Sequence, residues 1–236
     1  MVCPTDSASI PSVVGRRKYD EGCAIAHALD LVGERWALLV VRELLLGPKR
    51  FTDLLSGLPG VSTDILTQRL RELAAAGVVR RRRLARPAAS WVYELTPWGA
   101  ELEPIVVSLA RWGGRSPGMR LDAPIGVDSL LLSLEALFDA RAAAGFTATL
   151  ALRLGEDHFR VAIADERIDI SRGEPNQPDA TLDTDLATLL TLLRTNQPLN
   201  EVLAGGAARL DGDRSVVDRW RQLFPLPQPV PTEDCT

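Results

Sequence analysis

The stretch RFTDLLSGLPGVSTDILTQRLRELAAAGVVRRRR, running from Arg50 to Arg83, decides how the first half of the chain is read. Phe51, Leu54 and Leu55 share one face of a short helix. Gly57-Leu58-Pro59-Gly60 then breaks the chain. Ser62 is a good N-cap, because its hydroxyl can accept from a free amide of the first turn. Asp64 follows where the helix dipole favours a negative charge. The helix after that turn has two faces. Leu66, Leu70 and Leu73 recur at i, i+4 and i+7 and point inward, while Asp64, Thr67, Gln68 and Arg71 form a separate polar face. Gly77 ends it. Val78 to Leu84 reads as a strand whose alternation sends Arg80 and Arg82 to one side and Arg81 and Arg83 to the other. A turn around Arg86, Pro87 and Ser90 leads to the return strand, Trp91 to Leu95.

Working outward, residues 1–18 show no periodic apolar pattern and are expected to form a flexible segment. Cys23 to Leu31 has helical spacing of weak contrast. Glu34 to Leu46 is apolar nearly all round, which predicts a helix in the middle of a core. Gly47-Pro48 removes a side chain and then a backbone donor, and ends it. Downstream, Thr96 caps a further helix with Pro97 at its first position. Helix, helix, helix-turn-helix, basic hairpin, helix is the order of a winged helix. A helix fits the major groove, where short polar side chains reach base edges, and a projecting hairpin places arginines on phosphate. The candidate DNA contacts are Lys49, Arg50, Ser62, Thr63, Asp64, Thr67, Gln68, Arg71, Arg80, Arg81, Arg82, Arg83 and Arg86. Charge runs also occur on solvated faces, and some winged helices bind protein. The alternative is therefore a lipid or acyl-chain carrier whose winged helix is a protein-interaction module.

Charge divides the chain in the same way. Residues 1–120 hold 17 Lys/Arg against 12 Asp/Glu, a net of +5, and residues 121–236 hold 10 against 19, a net of −9. A basic half joined to an acidic half points to two domains, the first with a polyanionic partner. Cys3, Cys23 and Cys235 are too few and scattered for a disulfide framework or a zinc site. No apolar run spans a bilayer and no signal-peptide core opens the chain, so a cytoplasmic protein is expected. His27 and His158 lie far apart in sequence. No nucleophile–base pair, metal cluster or cofactor motif stands out, which argues against an enzyme.

CAIAHALDLVGERWALLVVRELLLGPKRFTDLL, GVSTDILTQRLRELAAAGVVRRR and YELTPWGAEL resemble the HxlR family of bacterial winged-helix regulators over about residues 20–113. The resemblance implies transcriptional control by homodimers on roughly palindromic DNA, with dimer contacts from about 20–31 and 97–112; repression is expected, because a compact dimer on a promoter blocks polymerase without special contacts. It also draws attention to Cys23. A thiol at a helix start has a depressed pKa and is a candidate redox or electrophile sensor; the simpler reading is a small residue packed there.

The second half reads as α+β. Gly113-Gly114, Pro117 and Gly118 mark a linker, taken as 114–124, after a winged-helix domain over 19–113. A helix is expected from Ile125 to Ala144. Strands are expected at 146–154, 159–163, 168–170, 179–182 and 207–211, with helices at 185–194 and 214–224. PDATLDTDLATLLTLL, LAGGAARLDGD and VVDRWRQLF are similar to the sterol-carrier type of lipid-binding domain over about 125–224, with a roughly five-stranded sheet. That resemblance implies an apolar tunnel and a hydrophobic small-molecule effector, unless the domain is a filled dimerisation module. Candidate lining residues are Leu130, Leu134, Phe138, Leu189, Leu193 and Trp220. Pro225 to Pro231 begin a Pro-rich tail, 225–236, expected to be extended.

Overall fold

A computed structural model describes residues 18–85, 89–195 and 197–231. The chain divides by its packing into two compact units, Met1–Glu103 and Pro104–Thr236.

The first unit contains α1 (Ala24–Val32), α2 (Ala37–Leu45), α3 (Phe51–Gly57), α4 (Thr63–Ala75), β1 (Val79–Arg83), β2 (Trp91–Leu95) and the single turn α5 (Pro97–Ala100). This is the winged helix that the apolar spacing predicts. Leu66, Leu70 and Leu73 of α4 are buried, together with Val40, Val41 and Leu54 from α2 and α3. The α2 helix starts three residues later than expected. Trp36 holds φ +77°, a left-handed conformation that a helix cannot continue through. Nor is α2 apolar-buried all round, since Leu39 is exposed. Gly60, at φ +88°, supplies the turn between α3 and α4. Gly99 instead permits a close approach, because a Cβ there would lie 2.0 Å from the Val78 carbonyl oxygen. The Leu-Thr-Pro-x-Gly junction therefore lets α5 pack directly on the backbone entering β1, with Thr96 Oγ1 donating to Gly77 O at 2.7 Å and accepting from Gly99 N at 3.0 Å.

The wing is antiparallel, pairing Arg80 with Glu94, Arg81 with Tyr93, Arg82 with Val92 and Arg83 with Trp91. Lys49 adds a bridge to Tyr93, with hydrogen bonds of 3.0 and 2.8 Å, so the α2–α3 loop forms a third rung beside β2.

The second unit contains α6 (Glu103–Gly114, whose first residue precedes the division), α7 (Val127–Leu137), β3 (Ala148–Leu154), β4 (Asp157–Ala164), β5 (Arg167–Arg172), β6 (Ala180–Thr184), α8 (Leu186–Arg194), α9 (Leu199–Ala204), β7 (Ala208–Gly212) and α10 (Arg214–Trp220), which runs into a 3-10 turn over Arg221–Leu223. The five-stranded sheet has the order β5-β4-β3-β6-β7 and is antiparallel except for the parallel β3/β6 pair. Alternation along the strands buries Leu150, Leu152, Phe159, Val161, Ile163 and Leu182. The contacts of α7 with β5, and of α10 with β3 and β6, place these helices on the sheet.

Here too the structure refines the expectation. The helix expected over 125–144 is shorter, because Phe138 leaves helical geometry at ψ 123° and Asp139 N bonds instead to Leu223 O at 2.8 Å. The helix α9 has no counterpart among the expected elements. In the last turn of α6, Arg111 Nε donates to Ala136 O at 2.7 Å.

Candidate functional site

The helix α4 begins at Ser62, whose Oγ accepts from Ile65 N at 3.3 Å. Thr63, Asp64, Gln68 and Arg71 are exposed and Thr67 is half-buried, all clear of the buried Leu66–Leu70–Leu73 stripe. This face is backed by buried charge. Arg69 lies 2.6 Å from Glu72 and 3.5 Å from Glu34, and Gln68 Nε2 donates to Glu72 Oε1 at 3.0 Å. The helix thus leans on an internal ion pair, and its Gln68 amide is held along the helix until something replaces Glu72 as acceptor.

The wing arginines separate into two kinds. Arg80 and Arg82 each sit 2.8 Å from a different oxygen of Glu94, a carboxylate with only 11% of its side chain exposed. The Arg82 hydrogen bond, aided by Arg80 and opposed by burial, holds the Glu94 carboxyl below its ordinary value, and the same bond raises Arg82. Arg81 and Arg83 face the other way. The Arg81 guanidinium stacks 4.5 Å from the Trp91 ring centroid, and Arg83 Nε reaches Ala89 O at 3.4 Å. Among the described residues neither has a carboxylate within ion-pair distance. Glu94 and Trp91 are contributors that sequence reasoning missed as site residues. Their signal lies in the strand register, which places Glu94 opposite Arg80 and Trp91 opposite Arg83.

The remaining predicted contacts differ in availability. Arg50 is exposed, with Nε donating to Ser90 Oγ at 3.2 Å, just before the return strand of the wing. Lys49 is committed to the body: its Nζ lies 2.6 Å from Glu43, which is 2% exposed and also paired with Arg42 at 2.8 Å. Gly57 makes room for that cluster, since a Cβ there would meet Glu43 Oε2 at 2.2 Å. Arg86, Cys3 and Cys235 lie outside the described residues. Cys23 is half-buried at the N-cap of α1, and hydrogen bonds from the Ala26 and Ile25 amides lower its thiol pKa from the ordinary value.

In the second unit, Leu130, Leu134 and Leu193 line one cavity of about 320 Å³. The other predicted lining residues are elsewhere. Leu189 and Trp220 are buried off the cavity, and Phe138 packs against Phe224 with ring centroids 6.3 Å apart. Leu137, Leu190 and Phe224 join the walls, as do Ala110, Gly113, Gly114, Met119 and Leu121. Among the described residues no helix is long and apolar enough to cross a membrane, and no group of three or more His, Cys, Asp or Glu could hold a metal.

A capped helix with a polar outer face, beside a hairpin whose Arg81 and Arg83 have no carboxylate partner among the described residues, is the arrangement of a winged-helix DNA-binding transcription regulator. The family match and the sequence relatives agree. The HxlR-like helix-turn-helix family matches residues 31–118. The HTH-type transcriptional regulator sll1512 of Synechocystis sp. is 38% identical over 91 residues, covering 39% of this chain and 67% of that protein. YybR, an HTH-type transcriptional regulator of Bacillus subtilis, is 36% identical over 93 residues, 39% of this chain and 74% of its own. A solved structure of the redox regulator HypR in its oxidized form is 32% identical, covers 41% of this chain and all of its own, and has a TM-score of 0.38. Through its N-terminal part the chain belongs to the HxlR-like helix-turn-helix family, whose relatives here are transcriptional regulators rather than enzymes.

Proposed function

We propose that the protein is a homodimeric, sequence-specific repressor that reads a palindromic operator and answers to a hydrophobic small-molecule effector through its C-terminal unit. The carrying observation is the pair Arg81 and Arg83, which have no carboxylate partner among the described residues, beside the exposed polar face of α4. In this reading α4 enters the major groove, with Thr67, Gln68 and Arg71 at base edges and Ser62, Thr63 and Asp64 at the groove entrance. Arg50, Arg81 and Arg83 rest on phosphate. Arg80 and Arg82 are held by Glu94 and reach phosphate only by leaving it.

Dimerisation is supported by apolar surface. Ile25 is 72% exposed on α1 and Trp112 77% exposed on α6, and α6 buries none of its own residues. Ile105 and Leu109 extend the α6 patch. Two-fold symmetry in the protein then requires two-fold symmetry in the operator. A dimer seated on a promoter blocks polymerase by occupancy alone. The effector reading is supported by the cavity and by the resemblance of the α+β order to sterol-carrier-type domains.

The test is selection from random duplexes, followed by gel shifts at two salt concentrations. The expected result is an inverted repeat bound by one dimer, with half-sites bound much more weakly. Equal binding to selected and random DNA would remove sequence reading. Absence of any salt-dependent binding would favour a winged helix that meets protein instead.

A further inference from the structure

The cavity in the second unit has an uneven lining. Of its side chains only Ser133 and Arg194 are polar. Ser133 donates to Ser129 O at 2.7 Å within α7. Arg194, half-buried at the end of α8, gives one Nη1 hydrogen bond to Leu121 O at 2.6 Å. Among the described residues it has no carboxylate within ion-pair distance. The sheet arginines are different: Arg153, Arg160 and Arg172 are each closed on Asp or Glu. A guanidinium left without a counter-ion against an apolar wall, in a half of the chain with net charge −9, is open to an incoming anion.

We propose that this cavity binds a small amphipathic monocarboxylate, with its apolar body among Leu130, Leu134, Leu190 and Leu193 and its carboxylate on the Arg194 guanidinium. The planar fork of an arginine matches a carboxylate with two parallel hydrogen bonds. A neutral lipid leaves that cation unmatched. A polyphosphate head group is disfavoured by the acidic surroundings, against which a monoanion carries the least charge. The volume, about 320 Å³, lies at the low end of the usual range of about 300–1,000 Å³. It suits a medium-length chain or a one- or two-ring acid. This also moves the ligand away from a tunnel built wholly within residues 125–224, because Ala110, Gly114, Met119 and Leu121 close one side.

Those residues give the site a regulatory reach. Bound ligand fixes the last turn of α6 and the segment carrying Leu121, and α6 presents the exposed face of Ile105, Leu109 and Trp112. The effect on DNA rests on the dimer reading given above; the binding itself does not. Any change in DNA affinity requires different ligand affinity for the free and DNA-bound forms.

The experiment is calorimetric titration of the delipidated full chain with decanoate and with decan-1-ol, without DNA. Decanoate is expected to bind one per chain and at least about tenfold more tightly than the alcohol. Arg194→Gln should bring the two within about twofold to threefold of each other while leaving alcohol binding in place. Ala110→Trp fills the mouth from an exposed position and should lower decanoate affinity at least about tenfold without disturbing the fold. Leu134→Trp should do the same from the floor, and if it unfolds the chain Ala110→Trp decides alone. Equal affinity for acid and alcohol, or an acid preference that survives Arg194→Gln, overturns the assignment of Arg194. Absence of binding by both probes overturns the site. A gel shift with and without decanoate then separates the two claims. Tight decanoate binding with unchanged DNA affinity overturns the regulatory reach and leaves the site standing. DNA binding that persists when neither probe binds leaves the repressor reading standing.

Discussion

Arginine does opposite work in the two halves of this molecule. On the C-terminal sheet it closes on carboxylates: Arg153 on Glu174 at 2.7 Å, Arg160 on Asp169, and Arg172 on both Asp128 and Asp157. In the wing, Arg81 and Arg83 have no such partner among the described residues, and Arg81 is propped on the Trp91 ring instead. Net charge finds the basic half, but it does not find the arginines that are available. Neutralisation is local, and the wing itself contains both kinds, since Arg80 and Arg82 share Glu94. What marks a candidate contact is an arginine whose nearest partner is an aromatic face, a carbonyl or nothing.

The largest expected effect lies on the structural side of that comparison. Asp128 is 3% exposed, and Arg172 reaches it from β5 while its guanidinium also covers the Phe159 ring at 4.9 Å. Arg172→Ala should cost about 2–4 kcal/mol in the denaturant-unfolding transition of the second unit. That is slightly under the about 3–5 kcal/mol of a fully buried pair, because Arg172 is partly exposed. DNA affinity should not move. A loss under about 1 kcal/mol would show that the sheet pairs are ordinary surface pairs.

Arg81→Ala with Arg83→Ala is the converse. Folding stability should stay within about 0.5 kcal/mol of the parent, because neither side chain closes a buried pair. Affinity should fall about tenfold to thirtyfold on all duplexes alike. The slope of log K against log salt should flatten by about 2, because roughly two fewer phosphates are neutralised and so fewer counterions are released on binding. An unchanged slope in a gel-shift series would mean that these arginines stay off the backbone.

The difference between the halves also explains what can be read from the amino acids. The α4 helix and the wing are each specified by one element's own period, so the leucine stripe, the polar face and the alternating arginines are legible. The cavity is not a property of any one element. Its walls come from the end of α6, the segment through Leu121, α7, α8 and residues 224–227, and each of these looks like ordinary core spacing alone. Apolar stripes therefore find Leu130, Leu134 and Leu193 at the cavity, but they cannot tell them from Leu189 and Trp220, which have the same apolar character and are packed beside it. Arg194 carries no local signal, because a basic residue at a helix C-terminus is favourable whatever lies nearby. Glu94 stands in plain view in the return strand, but its role needs the register that puts it opposite Arg80.

Gln68→Ala sharpens the comparison within α4. Gln68 already donates to Glu72, so reading a base means exchanging one acceptor for another. The expected loss of operator preference over random DNA is about 1 kcal/mol, at the low end of the about 1–3 kcal/mol of a bidentate base contact. Equal loss on both duplexes would make Gln68 a phosphate contact.

The smallest expected effect is a gain, and it tests whether Glu94 is what separates the two kinds of wing arginine. Glu94→Gln keeps the shape and one acceptor oxygen but removes the negative charge that Arg80 and Arg82 share. Both guanidiniums then become available to phosphate. Binding to random DNA should tighten about threefold. Its salt slope should steepen by up to about 2, because two further cations can displace counterions. Operator binding should gain less, since its contacts are already fixed by base readout, so the ratio of specific to non-specific affinity falls. The parent protein should approach the mutant in acid. The Arg82 hydrogen bond foremost, and Arg80 with it, hold the Glu94 carboxyl below its ordinary value. The pairing therefore stabilises the wing fully above the ordinary carboxylate pKa and is lost only as pH falls through the lower folded value. At neutral pH the contrast between parent and mutant is complete. If the two proteins share one salt slope at neutral pH, Arg80 and Arg82 already leave Glu94 when DNA arrives, and the division of the wing is a property of the free protein only.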